Sequence, residues 1–218
     1  MTPSLLITRP LPDAVTDAAR AAFDVTVRGD TRPLAPDDMA AALARYDAIL
    51  PTLGDPLGAA AFAGDVRTRI LANFGVGYNH IDVTAAQAAG IAVTNTPGAV
   101  TDATADIAMT LILMTCRRAG EGERMLRAGA WAGWHPTQLL GLHVTGKTLG
   151  IVGMGRIGKA IARRAHLGFG MEILFHNRSR VENPGVPSRQ VEALSELMEA
   201  ADIVAIAVPG GAETHHLI

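Results

Sequence analysis

One short stretch, Gly153-Met154-Gly155-Arg156-Ile157-Gly158, limits what this chain can fold into more than any other. It closes the apolar run KTLGIVG (147–153) and opens RIGKAIARRAHLG (156–168), so its glycines fall on the turn between a strand and a helix. The first glycine permits the tight turn. The second lets the backbone approach a pyrophosphate, and the third lets helix and strand pack closely. The helix start then offers free N–H groups and a positive dipole end to phosphates. Alone, the pattern is a weak signal. In a strand–turn–helix–strand setting it reads as a dinucleotide site, against the plainer reading of a glycine-rich turn used only for packing.

The following strand, MEILFHN (171–177), ends in His176-Asn177-Arg178-Ser179-Arg180. NAD-selective sites usually carry an acid there to bond the ribose hydroxyls. Here no acid is present and two arginines flank a serine. A guanidinium suits a 2′-phosphate by charge and by forked geometry, so NADP(H) is the expected cofactor, with NAD(H) possible. The competing reading is a solvated basic turn without a cofactor role.

The rest of the chain alternates short apolar runs with alanine-rich helical segments. Strands are predicted at 4–10, 24–28, 47–52, 68–74 and 91–96, with helices at 12–23, 35–46, 56–64 and 82–89, the last ending at Gly90. Many of the strand runs are nearly all apolar rather than alternating, as for parallel strands buried on both faces. Residues 101–128 read as one long helix. Its first half is apolar all round (Ile107 to Met114), so burial on every side is expected, and its second half is charged. A Gly- and Pro-containing loop (131–141) leads to a second series: the strand 147–153, the helix 156–168, the strand 171–177, a polar loop 178–189, a helix 190–201 and a third strand 202–209. The pattern predicts an α/β protein with three parts: residues 1–98, an interdomain helix and arm at 99–142, and a dinucleotide-binding part at 143–218.

Composition narrows the function classes. Hydrophobic residues make up 49% and charged residues 18% of the chain, which excludes intrinsic disorder. A net charge of −2 gives no basic field for nucleic acid or an anionic membrane. The longest apolar run, 107–116, is well short of the roughly 20 residues that span a bilayer, and the start lacks a leader pattern. One cysteine excludes an internal disulfide framework, and a cytoplasmic setting is expected.

A third feature is Phe74-Gly75-Val76-Gly77-Tyr78-Asn79-His80, just past a strand's carboxyl end, where open α/β sheets place ligands. Successive N–H groups in such a turn make an anion-binding concavity. A carboxylate seat and an ordinary turn are both compatible with it. At this point a resemblance becomes visible. The stretches ILANFGVGYNHIDVTAAQAAGIAVTNTPGAVTDATADIAMTLIL (70–113), W-x-x-W-x-P (131–136), TGKTLGIVGMGRIGKAIARRAHLGFGMEILFHNRSR (145–180) and ADIVAIAVPGGAETHHLI (201–218) resemble the D-isomer-specific 2-hydroxyacid dehydrogenases, and most closely their glyoxylate and hydroxypyruvate reductase branch.

The resemblance implies two flavodoxin- or Rossmann-like domains with parallel sheets. The first holds the substrate carboxylate, with Val76 and Gly77 matching its anion loop. The second holds the nucleotide through the Gly153–Gly158 turn, with Gly155, Arg156, Ile157 and Gly158 at the phosphates. Asn177, Arg178 and Ser179 match the adenosine ribose or 2′-phosphate position. Thr104 matches a position near the phosphates, Val208 and Pro209 the strand end beside the nicotinamide ribose, and Thr214 lies near it. Homodimerisation through the long helix and the arm is also implied. The chemistry implied is hydride transfer to or from C2 of a small 2-keto or 2-hydroxy acid, with an arginine, a histidine and a carboxylate handling carbonyl and proton. The family places those three after the segment matching 214–218, so none is assigned here, and the chain is expected to be a truncated piece with an incomplete second domain and trace activity.

Other residues attract plainer readings. His215 and His216 sit at an expected helix start. His80 and His135 lie on loops, His143 and His166 read as surface or structural, and His176 is at a strand end. Cys116 reads as a small core residue, and no spacing suggests a metal site. A cofactor-sensing binding protein or corepressor of the same fold, an NAD-dependent phosphoglycerate dehydrogenase-like enzyme, and a non-functional remnant are the competing identities.

Overall fold

Short strands apolar on both faces are expected to pair in parallel under covering helices. The computed structural model, which describes residues 1–218, shows two such sheets in two compact units: Met1–Ala99 with Gly210–Ile218, and Val100–Pro209.

The first unit runs β1 (Ser4–Ile7), α1 (Asp13–Arg20), β2 (Asp24–Val27), α2 (Pro36–Arg45), β3 (Ala48–Leu50), β4 (Ile70–Ala72), α3 (Val83–Ala88) and β5 (Ala92–Thr94). The sheet order is β2-β1-β3-β4-β5 with every neighbouring pair parallel, the flavodoxin-like arrangement. Period-two alternation divides β1 between two cores. Leu6 packs with Met39, Leu43, Ile49 and Leu71 on one face, while Leu5 and Ile7 pack with Ala48 and Phe23 on the other. Pro36 starts α2, and the Asp82 carboxylate caps α3 by accepting from the Ala85 N–H at 2.9 Å. Of the helix expected at 56–64 only a 3₁₀ turn forms, Ala59–Phe62. Gly58 and Gly64 bracket it and Phe62 anchors it in the core.

The second unit runs α4 (Thr101–Cys116), α5 (Ala119–Arg127), β6 (Thr148–Val152), α6 (Arg156–Phe169), β7 (Glu172–His176), β8 (Arg189–Val191), α7 (Leu194–Ala200) and β9 (Ile203–Ile206), with sheet order β8-β7-β6-β9, all parallel. Four strands form where three were expected. The extra one, β8, hides in a polar stretch; its Val191 is buried and pairs with His176. The helix expected at 190–201 accordingly shortens to α7.

The helix expected at 101–128 is two helices. Arg118 adopts a left-handed φ of 53°, its guanidinium gripping Glu121 at 2.6 Å and the Leu140 carbonyl at 3.3 Å. The arm returns against the break, and the Leu142 N–H donates to the Cys116 carbonyl at 2.8 Å in place of a continuing helical donor. Nor is α4 buried on all sides. Ala105, Met109, Ile112 and Cys116 join the core of Leu149, Ile151, Ile161, Ala165 and Phe175, whereas Ile107, Leu111 and Met114 are exposed. A helix apolar all round carries no record of which side is covered; α6 covers one, and Arg164 ties the two helices by bonding Asp106 at 2.7 Å and Asp102 at 3.0 Å. This shared core explains why residues 100–142 group with the second sheet, while residues 210–218 group with the first.

Candidate functional site

The dinucleotide fingerprint lies at the carboxyl end of β6, beside the point where the strand order of the second sheet reverses between β6 and β9. Open α/β sheets bind ligands at such points. Each motif glycine has a distinct physical reason. Gly153 has φ +97°, and a Cβ there would lie 2.8 Å from Val208 Cγ1 and 2.9 Å from the Ala207 carbonyl group. A Cβ at Gly158 would run into the Gly153 carbonyl oxygen, so helix and turn touch backbone to backbone. A Cβ at Gly155 would meet nothing within 4 Å. The middle glycine therefore faces open space.

Gly155 caps α6 without a side-chain bond, and the first backbone bond of the helix is Lys159 N–H to the Gly155 carbonyl. The N–H groups of Arg156, Ile157 and Gly158 thus donate to no backbone carbonyl, at the positive end of a helix running to Phe169. These residues fit a pyrophosphate.

The turn after β7 is built onto the same motif. The Asn177 Oδ1 accepts from the Met154 N–H at 3.1 Å, and its Nδ2 donates to the Ser179 carbonyl at 2.9 Å. From β8, Gln190 Nε2 donates to the Ser179 carbonyl at 3.1 Å and its Oε1 accepts from Val181 N–H at 3.0 Å. Arg178, Ser179 and Arg180 are exposed on the pinned turn. The structure so brings Gly153–Gly158, Asn177–Ser179 and Val208 to one sheet edge. Thr104 stands exposed on the first turn of α4, and Pro209 ends the second unit.

In the first unit the strand order reverses between β1 and β3, and that position is filled. Asp55 is fully buried there, accepting from Thr8 Oγ1 at 2.6 Å, Arg9 Nη1 at 2.8 Å and the Thr52 N–H at 3.0 Å. The open turn is displaced to the end of β4. Asn73 Nδ2 donates to the Gly75 and Gly77 carbonyls at 3.1 and 2.9 Å, and Asn95 Nδ2 to the Val76 carbonyl at 2.8 Å. With the carbonyls turned inward, the Val76 and Gly77 N–H groups donate to no backbone acceptor. Sequence reasoning missed Asn73 and Asn95, which fall inside the strands expected at 68–74 and 91–96 but lie just past the ends of β4 and β5. Thr214 sits in a 3₁₀ turn, Ala212–Thr214, grouped with this unit.

The histidines divide. His166 Nδ1 bonds the Met171 carbonyl at 3.0 Å, and His176 Nδ1 the Val191 carbonyl at 3.3 Å. His80 buries both ring nitrogens without a partner, and burial pushes its pKa down against the opposing pull of Asp55. Cys116 is buried and unpaired, and burial pushes its thiol up, away from thiolate chemistry. No group of three or more His, Cys, Asp or Glu side chains is placed to hold a metal, and no helix is long and apolar enough to cross a membrane.

Residues 109–218 match the family model described as the NAD-binding domain of D-isomer specific 2-hydroxyacid dehydrogenase. The chain is 40% identical over 226 residues to a glyoxylate reductase of Pyrococcus horikoshii, covering all of this chain and 66% of that protein. It is 38% identical to a glycerate dehydrogenase of Hyphomicrobium methylovorum, over 97% of this chain and 67% of that one. Among solved structures, an NADPH-dependent glyoxylate/hydroxypyruvate reductase from Sinorhizobium meliloti, in complex with NADP and malonate, superposes with a TM-score of 0.82 at 33% identity, covering 98% of this chain and 65% of that one. A protein from Thermus thermophilus gives 0.89 at 38% identity, over 98% of this chain and 67% of that one. The chain spans about two thirds of the length of the curated relatives it matches.

Proposed function

The chain belongs to the D-isomer specific 2-hydroxyacid dehydrogenase family, and on that premise we propose that it supplies the nucleotide-gripping and carboxylate-anchoring parts of an NADP(H)-dependent reductase of a small 2-keto acid such as glyoxylate or hydroxypyruvate. The observation that carries the reading is the cluster at the end of β6: three free N–H groups on α6, an open middle glycine, and a basic turn hydrogen-bonded to the same motif. A nicotinamide dinucleotide, when bound, supplies or accepts the hydride.

The chain's own residues bind and orient. The N–H groups of Arg156, Ile157 and Gly158 hold the pyrophosphate at the helix start. Asn177 fixes the adenosine-side turn, on which Arg178 and Ser179 take the 2′-phosphate. Thr104, Val208, Pro209 and Thr214 are assigned to the cofactor by the family pattern. Val76 and Gly77 hold the substrate carboxylate through backbone N–H groups. By the same pattern, the carbonyl-orienting arginine, the proton-carrying histidine and its carboxylate partner correspond to no residue among the 218. Absence of general acid–base catalysis alone lowers a rate by about 10²–10⁴. Residues 1–218 alone are therefore expected to bind cofactor and turn over at trace rates.

A homodimer in the cytoplasm completes the reading. Ile107, Leu111 and Met114 on α4 and Trp131, Trp134 and Leu140 on the arm leave apolar surface exposed, the kind of surface that marks a protein interface. The cofactor assignment is tested by calorimetric titration with NADPH and NADH. Tighter binding of NADPH, reduced by Arg178→Ala, is expected; tighter binding of NADH overturns the NADP(H) assignment.

A further inference from the structure

We propose that Asn73 and Asn95 are positioning residues that hold the Val76–Gly77 turn in its anion-binding shape, and so set carboxylate affinity without touching the carboxylate. This rests on the reading of that turn as the carboxylate seat. Three consecutive carbonyls, of Gly75, Val76 and Gly77, are each captured by a side-chain amide from the end of a neighbouring strand. Asn73 follows β4 and takes the first and third at 3.1 and 2.9 Å; Asn95 follows β5 and takes the second at 2.8 Å. The Thr96 N–H adds a bond to the Gly75 carbonyl at 3.1 Å, and the Asn73 N–H donates to the Thr94 carbonyl at 2.9 Å, which locks the two strand ends together. A peptide unit whose carbonyl is held inward has its N–H held outward. The clamp thus fixes the direction of the donors of Val76, Gly77 and Tyr78.

The arrangement is a poor device for stability. Asn73 is 2% exposed, yet its Oδ1 is buried without any partner. Both amide hydrogens go to loop carbonyls while the oxygen carries an unmet desolvation penalty. An apolar side chain would fill the space without that penalty but could not hold the carbonyls. The gain from the asparagine is therefore loop direction, which lowers the ordering cost of binding an anion.

The test uses the 218-residue protein labelled with ¹⁵N and oxalate as the probe carboxylate, with Asn73→Ala and Asn95→Ala as variants. In the unsubstituted protein, oxalate shifts the amide signals of Val76 and Gly77. Each variant weakens oxalate binding about tenfold, the equivalent of one charge-assisted hydrogen bond. NADPH affinity stays at the parent value in both variants, and the melting temperature of Asn95→Ala falls by only about 2–4 °C, so the loss is confined to the carboxylate, which a merely structural role would not allow. Asn95 is half-buried at a strand end, so Asn95→Ala carries the test even where Asn73→Ala fails to fold. Oxalate affinity within twofold of the parent in the folded variants overturns the positioning role and leaves the seat standing. Absence of any Val76 or Gly77 shift in the unsubstituted protein overturns the seat, and the positioning role falls with it.

Discussion

Two glycines three residues apart should fail in opposite ways when given a methyl group. At Gly158 the new Cβ runs into the Gly153 carbonyl oxygen, 3.1 Å from its carbon and 3.3 Å from Ile151 Cγ2. Neither side can yield. Gly153 is held at φ +97° against Ala207 and Val208, and α6 is sealed into the core by Ile161, Ala162 and Ala165. The helix start must retreat by on the order of 1 Å, an overpacking cost of about 1–3 kcal/mol. Gly155 has φ −79° and ψ −161°, extended backbone open to alanine, and its Cβ meets no atom within 4 Å. Gly155→Ala should leave stability within about 1 kcal/mol of the parent, because the lost freedom of the unfolded chain offsets the poorer helix cap that alanine makes. The methyl instead occupies the approach to the phosphates, so NADPH affinity should fall at least about tenfold, or 1.4 kcal/mol. Urea unfolding followed by circular dichroism, with calorimetric titration of NADPH, separates the two. Equal stability losses in both variants, or full NADPH affinity in Gly155→Ala, would refute the division of labour.

Three more outcomes are expected. Arg9→Ala leaves the Asp55 carboxylate buried with its charge uncompensated, and urea unfolding should show the first unit destabilised by about 3–5 kcal/mol. Replacing both partners by apolar residues should cost less; an equal loss in single and double variants argues against the buried pair. The His80 pKa is held below 6.5 by burial, so between that lowered value and 6.5 the unfolded chain binds the extra proton. Stability should therefore fall as pH drops through that window, and His80→Leu should flatten the slope of melting temperature against pH; an unchanged slope counts against it. Finally, Ile107→Asp with Leu111→Asp should convert the proposed dimer to monomer in sedimentation equilibrium while the far-ultraviolet circular dichroism stays that of the folded chain, since both side chains are exposed in the single chain; a variant that remains dimeric argues against this face.

The legible parts of the molecule are those where one residue's neighbours in sequence are also its causes. The strands β1, β6 and β7 stand out because burial on both faces demands an unbroken apolar run. The fingerprint stands out because Gly153 needs a left-handed φ and Gly158 a backbone contact with Gly153, both within the motif itself. What escaped reading depends on distant partners. Arg118 takes a left-handed conformation that nothing beside it requests; the returning arm at Leu140 and Leu142 imposes it. The strand β8 is three residues long with one apolar side chain, and only pairing with β7 defines it. In the candidate carboxylate site, the turn was visible but its supports were not. Asn73 and Asn95 act through side-chain bonds to carbonyls, which leave no periodicity behind, and the Thr8, Arg9 and Asp55 cluster joins two strand ends far apart in the chain.

The bond from the Met154 N–H to Asn177 has a practical reach of its own. It makes the glycine-rich turn at 153–158 and the turn at 177–180 a single mechanical part, hinged on one amide. Anyone wishing to exchange one cofactor for the other would naturally graft a new sequence onto residues 177–180. The first position of that graft is not free: an aspartate there keeps the acceptor for Met154 but loses the donor to Ser179, so the turn is unlatched on one side. Replacements confined to Arg178 and Arg180 leave the latch whole. Under the proposed function, cofactor choice is thus adjusted at the tips of the turn, while its root is tied to the glycine-rich motif.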